Sequence, residues 1–232
     1  MNQSNAIATC SECNYNFPAV KVQNIKHCPN CSTPAISAND DAKPSEPKLR
    51  IIGLAGKART GKSTVADQLK KLLPNTEYYS FAKPLKTAIS SLFHVPLSVL
   101  ETDEKDQIMP EFGFSLRHAM QTLGTEWGRE MLHPDIWVKV AKSQLDPSML
   151  WIISDVRYEN EAAFIRENGV LIHLYRDDAP QVKAHSSENG VSVYPGDFWI
   201  YNNGSLEDLD QSVAELVPQI TQILAAQEDA YA

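Results

Sequence analysis

The residues with the clearest chemistry lie between Gly56 and Ser63, which read G-K-A-R-T-G-K-S and match the phosphate-binding pattern G-x-x-x-x-G-K-[ST] at every fixed position. Gly56 and Gly61 permit left-handed turns, so successive backbone N–H groups can point into one concavity around a polyphosphate. Lys62 can neutralise the outer phosphates, and the Ser63 hydroxyl can bind Mg²⁺. This stretch predicts a nucleoside triphosphate site.

Four cysteines form two C-x-x-C pairs near the start of the chain, Cys10 with Cys13 and Cys28 with Cys31. Two such pairs can present four thiolates to one tetrahedral Zn²⁺. Disulfides or unpaired thiols are the alternatives, but a reducing cytosol disfavours disulfides. We therefore expect a structural zinc site.

Further polar groups follow apolar runs that have the composition of buried strands. Asp155 comes directly after such a run, where an unpaired carboxylate would be costly. Its partner is either a magnesium ion shared with Ser63 or the start of the next helix, which it would cap. Arg157 lies two residues further on, and Arg176 ends another strand-like run. Arginine suits a bidentate grip on phosphate.

Other candidates lie on a helix and in a polar insertion. Arg117, Gln121 and Arg129 tend toward one side of a helix, where ligand binding and simple solvation are both open. Phosphoryl transfer needs cations from several elements, and the chain offers Arg59, Lys62, Arg117, Arg129, Arg157 and Arg176. The insertion at 177–197 carries His185, Ser187 and Glu188 and is a candidate lid, although a lone histidine is more commonly an exposed loop residue.

Composition limits the partners of these sites. The 232 residues are 43% hydrophobic and carry a formal net charge of -8, which argues against non-specific nucleic-acid or anionic-membrane binding. No apolar run reaches the roughly 18 residues of a membrane helix, and the polar start does not resemble a signal peptide. We expect a cytoplasmic protein.

The pattern along the chain predicts two modules. Residues 1–36 would form the zinc module, which resembles a zinc ribbon, and 37–47 is a polar, proline-bearing linker. From residue 48 to 232, strand-like and helix-like patterns alternate, which predicts a three-layer α/β domain with a parallel sheet covered on both faces. Leu116, Met120, Leu123 and Trp127 mark the expected buried stripe of one helix.

Four motifs that follow the glycine loop in order resemble those of phage-type deoxynucleoside monophosphate kinases. They are S-F-A-K-P-L-K from Ser80, R-x-x-x-Q-x-L-G-T-E-x-G-R from Arg117, D-V-R-Y-x-N-E from Asp155 and H-x-S-E from His185. The resemblance covers Lys48 to about Leu216, and it implies the host cell cytoplasm if a phage encodes the protein. It departs from the family at Ser63, where members often carry Asp, and in the zinc module, which is not part of the usual pattern.

The resemblance implies a P-loop nucleoside monophosphate kinase fold, with ATP as donor, Mg²⁺, and a deoxynucleoside 5'-monophosphate as acceptor. Asn202, Asn203 and Gly204 resemble the loop near the donor adenine. The implied donor-site residues are Gly56, Lys57, Arg59, Thr60, Gly61, Lys62, Ser63, Thr64, Asn203 and Gly204. The implied acceptor-site residues are Lys86, Arg117, Gln121, Thr125, Arg129, Asp155, Arg157, Asn160, Glu161, His185 and Glu188. The catalytic cations would be Lys62, Arg129, Arg157 and Arg176, and the magnesium ligands Ser63 and Asp155.

Two rival functions stay open from the sequence. One is a P-loop kinase for another small acceptor, such as dephospho-coenzyme A, because the closing strand, the Asn-Asn-Gly loop and the last helix are widely shared. The other is a zinc-ribbon adaptor whose nucleotide domain is a switch without turnover. The arginine-rich acceptor motifs favour an enzyme, since a switch would not need a second anion site. A protein partner for the zinc ribbon and a homodimer are left open.

Overall fold

The computed structural model describes residues 7–9, 16–18, 48–179 and 190–229. The chain divides into two units, Met1–Pro47 and Lys48–Ala232. In the first unit, β1 (Ile7–Thr9) and β2 (Asn16–Pro18) pair in antiparallel fashion, with Thr9 opposite Asn16. The four cysteines of the predicted zinc site lie outside the described residues.

A parallel sheet forms the centre of the second unit. Its strands and those of one short hairpin are, in chain order, β3 (Arg50–Ala55), β4 (Thr76–Tyr79), β5 (Ile108–Met109), β6 (Phe114–Ser115), β7 (Leu150–Val156), β8 (Gly169–Tyr175) and β9 (Phe198–Tyr201). The sheet order is β4-β7-β3-β8-β9, and every neighbouring pair is parallel. All five strands therefore end at the same edge, where ligands of such sheets gather.

Helices cover both faces of this sheet, as the alternating sequence pattern predicts. They are α1 (Lys62–Leu72), α2 (Lys83–Phe93), α3 (Leu116–Thr122), α4 (Ile136–Gln144), α5 (Glu159–Asn168) and α6 (Leu206–Asp229). One core joins α1 and α6 to the sheet, and a second joins α4 and α5 to its other face. None of these described helices has both the length and the apolar character needed to cross a bilayer.

A small third core holds the insertion between β4 and β7. This core is built around Ile89, Leu100 and Leu116. The insertion also contains two short 3-10 helices, Leu97–Glu101 and Asp103–Asp106, of which the first supplies Leu100. We call residues 97–106, which contain both, the acidic strap. The β5–β6 hairpin follows the acidic strap and leads directly into α3.

The helix that begins at Leu116 changes its winding after about two turns. Residues Leu123–Leu132 form a π-helix, whose hydrogen bonds run from i to i+5. The predicted buried stripe is correct at Leu116, but it is wrong at Trp127, whose surface is 43% exposed. The wider winding rotates Trp127 away from the face that a regular helix would bury.

Candidate active site

The glycine loop joins β3 to α1 and is packed tightly against later parts of the chain. Gly56 (φ 148°) and Gly61 (φ 100°) both have positive φ. A Cβ on Gly56 would lie 2.6 Å from the Leu174 carbonyl oxygen, and one on Gly61 would lie 2.5 Å from the Asn202 Nδ2. At each of these two positions glycine is required for two reasons, the positive φ and the close approach of a neighbouring atom.

The lysine of the loop is folded back over the loop backbone. Lys62 Nζ donates to the carbonyl oxygens of Gly56 at 2.7 Å and Lys57 at 2.6 Å. The Thr60 hydroxyl also donates to the Lys57 carbonyl, at 3.0 Å. These bonds hold the ammonium group directly above the concavity of the loop, where the phosphates of a nucleotide would lie.

A cavity of about 540 Å³ opens beside the loop. Besides the loop, its walls come from the ends of β8 and β9 and the start of α6, through Arg176, Asn202, Gly204 to Leu206, and Leu209. Arg176 therefore lies where the strand-end reasoning predicts, together with Arg59, Lys62, Ser63 and Thr64. The exposed Ser63 hydroxyl is the kind of oxygen donor that Mg²⁺ accepts.

Of the two asparagines after β9, the first one contacts the loop. Asn202 Nδ2 donates to the Thr60 carbonyl oxygen at 3.0 Å. Asn203 instead exchanges two hydrogen bonds with Asp177: its Nδ2 donates to the carboxylate at 2.8 Å, and its Oδ1 accepts from the Asp177 backbone N–H at 2.9 Å. The sequence indicated Asn202 only through its position next to Asn203 and Gly204, and its contact with the glycine loop was not predicted.

Asp155 is held by the segment that leads into α2. Its carboxylate accepts from the Ser80 hydroxyl at 2.7 Å and from the backbone N–H groups of Phe81 at 3.1 Å and Ala82 at 3.0 Å. Asp155 therefore accepts hydrogen bonds at the start of α2. The sequence analysis had predicted either a magnesium ion or the start of the next helix, α5, as its partner. No group of three or more His, Cys, Asp or Glu side chains suited to a metal occurs among the described residues, so the magnesium role of Asp155 stays a prediction.

Arg129 and Glu161 form a buried ion pair. Arg129 Nη2 lies 2.5 Å from Glu161 Oε1, and the two side chains are only 11% and 3% exposed. The guanidinium also stacks on the Tyr158 ring at 3.8 Å. Glu161 Oε2 accepts from the backbone N–H groups of Arg157 and Tyr158 at 2.8 and 3.1 Å. Arg129 therefore steadies the β7–α5 turn that carries Arg157.

Burial changes the pKa of Glu161. It raises the pKa of Glu161 to about 7, although the Arg157 backbone N–H and the Arg129 charge oppose the rise.

Asn160 donates to the Pro134 carbonyl oxygen at 3.1 Å and to Asp135 Oδ1 at 2.8 Å, and it thereby links the β7–α5 turn to the start of α4. Thr125 Oγ1 lies 3.3 Å from the Tyr158 hydroxyl.

The remaining acceptor-site candidates lie on α2 and α3. Lys86 Nζ donates to both carboxylate oxygens of Glu101 at 2.7 Å. Arg117 makes a two-point contact with Asp106, with Nη2 to Oδ2 at 3.0 Å and Nε to Oδ1. Gln121 is partly buried one turn further along α3. His185 and Glu188 lie outside the described residues, so their substrate-site role stays a prediction.

The π-helix is shaped by two buried glycines. Trp137 Nε1 donates to the Gly124 carbonyl oxygen at 2.8 Å. A Cβ on Gly128 would lie 2.6 Å from the Trp137 ring. The awkward Gly124-Thr125 pair in the sequence thus marks a real change of winding, which carries Thr125 and Arg129 toward Tyr158.

Comparison with known proteins gives a consistent family. Residues 99–213 match the family model described as deoxynucleotide monophosphate kinase. A protein of Acanthamoeba polyphaga mimivirus that bears the same family name is 30% identical over 192 residues, which is 75% of this chain and 98% of the relative. The deoxynucleotide monophosphate kinase of Escherichia phage RB69 is 29% identical over 110 residues, 45% of each chain. Among solved structures, an APS kinase of Mycobacterium tuberculosis matches 75% of this chain and 99% of its own at 15% identity and a TM-score of 0.38.

Proposed function

The chain belongs to the deoxynucleotide monophosphate kinase family, and from that premise we propose that it transfers the γ-phosphoryl group of ATP to a deoxynucleoside 5'-monophosphate. The products are ADP and a deoxynucleoside diphosphate for DNA synthesis. The observation that supports this most directly is the 540 Å³ cavity that brings Lys62, Ser63 and Arg176 together beside the glycine loop.

The donor side uses the loop, the β8 end and the β9 end. Backbone N–H groups of Gly56–Thr64 bind the ATP phosphates, and Lys62 moves from the carbonyl oxygens of Gly56 and Lys57 to the outer phosphates. Arg176 adds a second cation at the transferring group. Leu206 and Leu209 supply apolar surface on the same cavity wall, next to Gly204.

Magnesium neutralises the phosphate oxygens when it is bound, and this chain offers it Ser63 and Asp155. The exposed Ser63 hydroxyl fits that use. The Asp155 carboxylate is already engaged with residues 80–82, and it fits best as a partner to water molecules around the ion.

The acceptor side uses Arg157 with Lys86, Arg117 and Gln121. An oxygen of the acceptor phosphate attacks the γ-phosphorus, and the bond from that phosphorus to the β,γ-bridging oxygen breaks, so ADP leaves. The acceptor oxygen is already a nucleophile, and the main task of the protein is to hold two anions in line. Arg129, Glu161, Thr125 and Asn160 act by fixing the turn that presents Arg157.

A coupled assay that follows ADP release with ATP and each deoxynucleoside monophosphate tests this function. We expect turnover with at least one acceptor, and loss of turnover in Lys62→Ala. Arg157→Ala should impair the acceptor, through KM or kcat, far more than it weakens ATP binding. Binding of ATP without ADP release from any acceptor would favour the switch, and turnover only with dephospho-coenzyme A would favour the other kinase.

For the first unit, we propose a zinc-ribbon module over residues 1–36 and a linker over 37–47. Supporting this, the pairing of Thr9 with Asn16 brings together the two ends of the segment that contains Cys10 and Cys13. Metal analysis of purified protein should give about one zinc per chain, and less than about half an equivalent would count against the site. A protein partner for the module and a homodimer remain predictions.

A further inference from the structure

The acidic strap supplies the partners of both acceptor-side cations on α2 and α3. Glu101, at the end of its first 3-10 helix, accepts from Lys86 through both oxygens at 2.7 Å. Asp106, at the end of the second 3-10 helix, likewise accepts from Arg117 through both carboxylate oxygens. One segment of ten residues therefore neutralises two cations that come from two different helices.

A third cation, Lys105, directly precedes Asp106 in the second 3-10 helix, next to the carboxylate that binds Arg117. Lys105 is partly buried. Burial lowers its pKa, and so do the charges of Arg117 and Lys86, while Asp106 and Glu101 oppose the shift. Three cations therefore meet at the acidic strap, whose other two carboxylates, Asp103 and Glu104, are exposed to solvent. A group of three cations suits an anion.

We propose that Lys105 is a third ligand of the acceptor phosphate, and that this phosphate takes the place of Glu101 and Asp106 on Lys86 and Arg117. The inference rests on the proposed function, since it assigns a residue and a counter-ion exchange to the same acceptor site. The phosphate is the monoester group of a deoxynucleoside monophosphate.

Charge and exposure both favour the exchange. A phosphate monoester carries about −1.5 to −2 charges at pH 7, as much as the two carboxylates together. The carboxylates are the more exposed partners: Glu101 is 62% and Lys86 23% exposed, while Asp106 is 42% and Arg117 39% exposed. Solvent-exposed pairs of this kind contribute little to stability, so the acidic groups can turn into water at small cost.

The test compares steady-state kinetics of Lys105→Gln, Lys105→Arg and Glu101→Gln, with Lys71→Gln as the matched control. Lys71 is an exposed lysine in the last turn of α1, at the opposite end of that helix from Lys62. We expect Lys105→Gln to raise the KM for the deoxynucleoside monophosphate about 10- to 100-fold, the range of a charged hydrogen bond, with the KM for ATP unchanged. Lys105→Arg should recover part of the loss. Glu101→Gln should lower the acceptor KM, because one competing carboxylate is gone.

Melting temperatures of all variants show whether any effect comes from unfolding. An unchanged acceptor KM in Lys105→Gln, or a raised one in Glu101→Gln with the melting temperature intact, overturns the inference while the unmutated enzyme still works. Absence of turnover in the unmutated protein with every acceptor overturns the proposed function itself. The two failures therefore give different results in the same assay.

Discussion

Replacing Arg129 by methionine should destabilise the protein strongly at alkaline pH and much less in mild acid. Methionine keeps much of the length of the side chain but removes the charge from the buried pair with Glu161. Two further contacts disappear: the stack on Tyr158 at 3.8 Å and the Nη1 hydrogen bond to the Pro134 carbonyl oxygen at 3.2 Å. What remains is the carboxyl group of Glu161, whose side chain is only 3% exposed.

The size of the effect depends on whether Glu161 is ionised. Removing one partner of a buried pair costs about 3–5 kcal/mol when the other stays charged. Burial already raises the pKa of Glu161 to about 7, and Arg129 is one of the influences that lower it, so the variant has a still higher pKa. At pH 6 the carboxyl group of the variant is neutral, and the loss falls to about 1–2 kcal/mol for the stack and the hydrogen bonds.

The sign of the pH dependence follows from the same values. The pKa of Glu161 is about 7 in the folded chain, against an ordinary value of 4.5. Between these two values only the folded protein holds the proton. The stability from this group is therefore complete below the ordinary pKa and is lost as pH rises through about 7. In Arg129→Met the loss begins at the same ordinary pKa but continues to a higher pH, so the total loss of stability is larger.

Urea unfolding at pH 6 and pH 8.5 measures these differences for the unmutated protein, Arg129→Met, Glu161→Gln and the double variant. Glu161→Gln removes the titrating group, so it should abolish this pH limb, and the double variant should cost less than the sum of the single changes at pH 8.5. An equal loss at both pH values, or additive losses, would refute the reasoning. Turnover adds a second readout: if Arg129 only positions the Arg157 turn, both single variants should slow the reaction in parallel.

Two other substitutions probe the loop and the strand end. Gly61→Ala should weaken ATP binding at least about tenfold, because the new Cβ would lie 2.5 Å from Asn202 Nδ2. The control is Gly113→Ala, also at a positive φ (75°), where the new Cβ would have no neighbouring atom within 4 Å. This variant should leave ATP binding intact in the same titration. Asp155→Asn should lower the free energy of unfolding by about 1–3 kcal/mol, because the amide cannot accept every hydrogen bond from residues 80–82; an unchanged urea midpoint would show that those bonds contribute nothing.

The donor half of the site was predictable because its rules are local. A strand, a glycine loop and a helix follow one another in the sequence, and Arg176 ends a recognisable strand. Parallel strands end at one edge, so the rule for strand ends was enough to place Arg176 beside Lys62. No knowledge of the side-chain packing was needed for that step.

The acceptor half was less predictable, because the sequence shows charges but not their partners. Arg129 and Glu161 were both predicted to contact substrate, and they contact each other across 32 positions of the chain. Lys105 gave no signal in a stretch with mixed charges. Trp127 was misplaced because the change to a π-helix depends on Gly124 and Gly128 fitting against Leu85 and Trp137, which are contacts of the folded state.

The sheet order explains why these two halves form one site. The glycine loop follows β3, the central strand, with β8 and β9 on one side and β7 and β4 on the other. The donor residues after β8 and β9 and the acceptor residues after β7 and β4 are thus separated only by the loop. Neighbouring strands are about 4.8 Å apart. Asp155 lies on β7, one strand away from the strand that leads into the loop. The segment that Asp155 holds follows β4, two strands away, and leads through the start of α2 to Lys86. Asp155 therefore ties the start of α2 to β7, and in the proposed mechanism this contact would set the distance between Lys86 and the donor phosphates.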